Sequence, residues 1–79
     1  MSELERHNAD VQFMKECVTS EVIKLIMEEQ NLGIEEAIHR FYTSKTFAKL
    51  DNEQTKLYTQ GPVYVLDEYN NEIKLSPMR

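Results

Sequence analysis

The chain has one cysteine, two glycines, two prolines and no tryptophan, so it has few of the residues from which specialised sites are built. A lone thiol, Cys17, excludes an internal disulfide, and with it the stapled secreted miniprotein. Gly33 and Gly61 stand too far apart to write a phosphate loop, a dinucleotide fingerprint or a nucleophile elbow. His7, His39 and Cys17 have no metal-ligand spacing, so no metal or cofactor is expected. No apolar run approaches the roughly 20 residues that span a bilayer. The opening MSELERHNAD has no apolar signal-peptide core, so a cytoplasmic location off the membrane is expected.

Seventy-nine residues make one expected domain, 1–79, with 1–8 and 76–79 expected to be flexible ends. A chain this short buries only about 60% of its unfolded surface, which leaves a thin stability margin. The net charge is −5 and it is uneven. Residues 1–38 hold nine acids and three bases, while residues 39–56 set Arg40, Lys45, Lys49 and Lys56 against Asp51 and Glu53. An acidic chain gains nothing from general phosphate attraction, so nucleic acid is disfavoured as a partner.

From about Ala9 to Gln30 the apolar residues recur with helical period: Val11, Met14, Val18, Val22, Leu25 and Ile26 fall in one stripe. Phe13, Ile23 and Met27 project away from that stripe, with Cys17 near its margin as a small buried hydrophobe. Another helix could cover the three within the monomer. Otherwise they form a surface for a second copy or another protein, since monomers seldom expose large apolar patches.

Asn31-Leu32-Gly33 suits a helix stop followed by a new N-cap. Ile34, Ala37, Ile38, Phe41 and Tyr42 then follow the i, i+3, i+4, i+7, i+8 pattern of a second helix, with Glu35 and Glu36 in its first turn. Ser44 caps a short third helix over 45–50 with Phe47 and Leu50 inward, and Leu57 and Tyr58 plug the core. Val18, Val22, Leu25, Ile38, Phe41, Phe47 and Leu66 are the expected core. The stretch 61–75 admits two readings. Val63-Tyr64-Val65-Leu66 and Glu72-Ile73-Lys74-Leu75 could pair as a β-hairpin, whereas Gly61-Pro62 suits a helix with Pro at its first position. An isolated hairpin is marginal in water, so helix is preferred. The expected class is all-α, a small bundle of three to four helices.

Three segments carry a family likeness: Asn31-Leu32-Gly33-Ile34-Glu35-Glu36-Ala37, Phe41-Tyr42-Thr43-Ser44-Lys45-Thr46-Phe47, and Thr55-Lys56-Leu57-Tyr58-Thr59-Gln60-Gly61-Pro62-Val63-Tyr64. Over about residues 9–73 the chain resembles a family of small bacterial domains of unknown function. That family is often encoded beside genes for ADP-ribosyltransferase-like proteins, in an arrangement that suggests toxin and antitoxin. The likeness implies a helical C-terminal segment and a protein partner, and it implies no catalytic residue. Gly33 departs from it, since Ser is the usual cap there.

Chemistry is sparse. His39 has Glu35 four residues before it, which on a helix is an ordinary surface contact before it is an acid–base pair. Tyr42, Tyr58, Tyr64 and Tyr69 near the cations of 40–56 could stack bases, but core and interface are the commoner roles. The expectation is a non-catalytic protein-interaction module, antitoxin-like, binding a protein partner or itself. The alternative is a DNA-binding regulator reading with the 34–50 helix-turn-helix.

Overall fold

The computed structural model describes the backbone of residues 3–75 and the side chains of residues 10–75, folded as four α-helices. These are α1 (Glu3–Gln30), α2 (Ile34–Tyr42), α3 (Lys45–Asp51) and α4 (Pro62–Leu75), with single 3₁₀ turns at Glu53–Thr55 and Leu57–Thr59. The described residues contain no strand, so the hairpin alternative for 61–75 is excluded. The C-terminal segment is helical from Pro62, and Gly61 at φ +92° makes the turn into it. Pro suits that first helical position because the N–H it lacks would have no helical partner there.

At 28 residues α1 is about 42 Å long, close to the 45 Å long axis of the molecule. It begins at Glu3 rather than near Ala9, so residues 3–8 of the expected lead-in are helical in backbone. Residues 1–2 and 76–79 lie outside the described residues. Helix α1 stops in a Schellman arrangement. Asn31 turns left-handed at φ 55°, and the Leu32 N–H donates to the Met27 carbonyl at 3.1 Å. Helix α3 opens on Ser44, whose hydroxyl accepts from the Phe47 N–H at 3.0 Å.

The shorter elements pack along α1, with α4 on one side and α2 on another. Val22, Ile26, Phe41, Leu50 and Val65 are fully buried at the centre. Phe41 meets Phe47 and Tyr69 edge-to-face at centroid distances of 5.6 and 5.9 Å. Leu57 and Tyr58 plug the core from their 3₁₀ turn. Val18, Val22, Phe41 and Leu66 are buried as expected, while Leu25 and Phe47 pack against the core half-buried.

Three expectations are corrected. Ile38 is 38% exposed and Met14 40% exposed, so neither is a core residue. Cys17, read as a buried hydrophobe, is exposed. The reason is the same for all three. A helical stripe about 100° wide is covered only where a neighbour lies against it, and these side chains sit at or beyond the stripe's edge.

Candidate functional site

The sequence pattern of α2 is broader than its packing. Ala37 and Phe41 enter the core, whereas Ile34, Ile38 and Tyr42, spaced i, i+4, i+8, form a row left in solvent. Ile34 is 57% and Tyr42 51% exposed. This row is the lip of a groove of about 510 Å³ between α1 and the α2–α3 pair. Ile23 and Met27 of α1 and Phe47 and Leu50 of α3 line it, and Tyr42 stacks on Phe47 at 4.5 Å with the rings 21° apart. Lys15, Glu16, Lys24 and Asp51 give its edge two charges of each sign.

The wall supplied by α3 is a helix of seven residues, too short to be stable by itself, and side chains from both long helices hold its ends. At its N-terminus the Glu72 carboxylate of α4 accepts from the Lys45 N–H and the Thr46 N–H, both at 2.9 Å, and from Thr46 Oγ1 at 2.8 Å. At its C-terminus Lys15 Nζ of α1 donates to the Asp51 carbonyl at 2.8 Å and lies 3.8 and 3.6 Å from the Asp51 and Glu53 carboxylates. An anion at the amino end and a cation at the carboxyl end both match the helix dipole. Neither partner was legible in the sequence, because Glu72 and Lys15 lie 26 and 36 residues from the groups they reach.

Burial pushes the Glu72 carboxyl up, but the hydrogen bonds from Lys45 and Thr46 and the charge of Lys45 hold it below the usual glutamate value. A carboxyl lowered in the folded state contributes stability that is complete above its unfolded pKa of about 4.3 and fades as pH falls through the lower folded value. Glu72→Gln should therefore cost about 1–2 kcal/mol near neutral pH. It should also flatten the acid limb of stability below about pH 4.5. Thermal melts of both proteins between neutral and acid pH check this; parallel limbs would mean that Glu72 is not the titrating cap.

The three residues expected at an interface are not placed alike. Ile23 and Met27 come together in the groove, Ile23 only 8% exposed as part of the core and Met27 half-buried against it. Phe13 does not line the groove; it stands 66% exposed further round α1. The row Ile34–Ile38–Tyr42 was missed as a surface. Its signal was present, since five apolar positions on a nine-residue helix are more than one neighbouring helix can cover.

A second, polar cleft gathers His39, Arg40, Tyr69 and Glu72 between α2 and α4. Burial raises the Tyr69 phenol above its usual value, the Arg40 charge opposes this, and Glu72 adds to it. Its charged members are already engaged: Arg40 Nε donates to Glu36 at 2.9 Å, and Glu72 caps α3. The neighbouring cation Lys49 lies 3.8 Å from Glu68. Among the described residues no bond joins Glu35 to His39, and no three His, Cys, Asp or Glu side chains converge as a metal set. His7 lies outside the described side chains. No helix among the described residues is long and apolar enough to cross a membrane.

Compared with family models, curated proteins and solved structures, the chain matches none.

Proposed function

We propose that this protein is a non-catalytic protein-interaction module whose docking surface is the groove between α1 and α2–α3. The observation that carries the reading is the exposed row Ile34–Ile38–Tyr42 beside a floor of Ile23 and Met27. Hydrophobic side chains left in line on a helix beside an open apolar groove are what a docking helix buries. The family likeness adds a class of partner, an ADP-ribosyltransferase-like protein neutralised by direct contact. A DNA-reading role for 34–50 has less support, because Arg40 and Lys49 each face a carboxylate of their own chain and the charge of Lys45 acts on the Glu72 carboxylate.

Ile38→Glu tests the reading. Ile38 is exposed enough to accept a charge, so helicity should persist. Wild type should associate with itself or with an ADP-ribosyltransferase-like protein in sedimentation or titration calorimetry, and the variant should do so at least about tenfold more weakly. Equal binding by the two proteins, or no binding by the wild type to either, defeats it.

A further inference from the structure

We infer that the occupant of this surface is a second copy of the chain, paired antiparallel through α1 about Ser20. The inference rests on the groove as a docking surface and names what docks there. On α1, Phe13, Glu16, Ser20, Lys24 and Met27 follow one another at intervals of three, four, four and three residues, which keeps them on one stripe. Phe13, Glu16, Ser20 and Lys24 are exposed and Met27 is half-buried. The intervals read the same in both directions from Ser20. Two copies aligned antiparallel about that residue therefore set Phe13 of each against Met27 of the other, and Glu16 of each against Lys24 of the other. A two-fold axis makes every such pair twice.

Charge selects this register. A parallel alignment would put Glu16 against Glu16 and Lys24 against Lys24. The antiparallel one gives two opposite-sign pairs on a stripe whose net charge is zero, in a chain that carries −5. Lys24 lies 3.7 Å from Glu21 of its own helix in an exposed pair, so across the axis it would be shared between that carboxylate and the Glu16 carboxylate of the second copy. The short Ser20 side chain at the axis lets the helices approach closely, since interaxial distance follows the side chains at the contact. The stripe from Phe13 to Met27 runs about 21 Å. Beside it, Ile34, Ile38 and Tyr42 of each copy would flank the partner's α1. This sets α1 and α2 of both copies side by side across the axis.

The test is a charge swap at two exposed positions. Glu16→Lys and Lys24→Glu each turn both attractive pairs into repulsive ones and should weaken the dimer about tenfold. Glu16→Lys/Lys24→Glu together restores opposite signs across the axis and should return wild-type affinity. Sedimentation equilibrium over a concentration series reads the mass, and circular dichroism confirms equal helicity. A dimer that fails to recover in the double variant overturns this register. A wild type that stays monomeric but binds an ADP-ribosyltransferase-like protein, with binding lost in Ile38→Glu, overturns self-pairing and leaves the docking groove standing. A monomer that binds neither overturns both.

Discussion

Phe41→Ala should destabilise the domain by about 3–5 kcal/mol, the cost of deleting a large core ring and leaving a cavity. Phe41 has no exposed surface and lies at the meeting point of α2, α3 and α4 through its edge-to-face contacts with Phe47 and Tyr69. Each of those contacts is worth about 0.5–1.5 kcal/mol beyond the area it buries. Domains of this size hold only about 5–10 kcal/mol in total, so the variant should be largely unfolded at moderate temperature. For a wild type that melts cooperatively, each kcal/mol lost lowers the Tm by about 4–8 °C. Tyr42→Ala, one residue on but half in solvent, should shift the melt far less. A Phe41→Ala melt close to the wild type would mean that α2 does not anchor the core.

Ile23→Glu should unfold the protein rather than release a partner. Ile23 belongs to the buried cluster although it reaches the groove floor, and the two cations that line the same groove already face carboxylates, Lys15 those of Asp51 and Glu53 and Lys24 that of Glu21. An ionised carboxylate forced there loses its hydration without a partner, at a cost of several kcal/mol. The control is Phe13→Glu, about 80° round the same helix. Phe13 is mostly in solvent within one copy, so at concentrations too low for self-association its replacement should change stability by no more than about 0.5 kcal/mol. Urea titration of the two variants separates the positions. Equal midpoints would put Ile23 outside the core.

These two residues show where sequence reasoning stops. Phe13, Ile23 and Met27 all project off the main stripe of α1, and periodicity treats them alike. Which of them is covered depends on where α2 and α3 lie, and that is fixed by contacts far along the chain. The same holds on α2, where Ala37 and Phe41 are buried but Ile34, Ile38 and Tyr42 are not.

Local signals marked several element boundaries, although the apolar period starts α1 six residues late and 61–75 admits both helix and hairpin. The Asn31 stop and the Ser44 cap each act within a few residues, so the bounds of α2 were readable from neighbours alone, whereas Gly61-Pro62 only favoured the helix that the structure shows from Pro62. All-α architecture followed, because a 3.6-residue apolar period specifies the helix and the face it buries. The tertiary structure decided what periodicity does not encode. It determined how wide a stripe each neighbour covers, that Lys15 and Glu72 hold the two ends of α3, and that an apolar row was left open beside a groove. Burial and capping across 26 or 36 residues are properties of packed helices, and no single helix carries them in its own sequence.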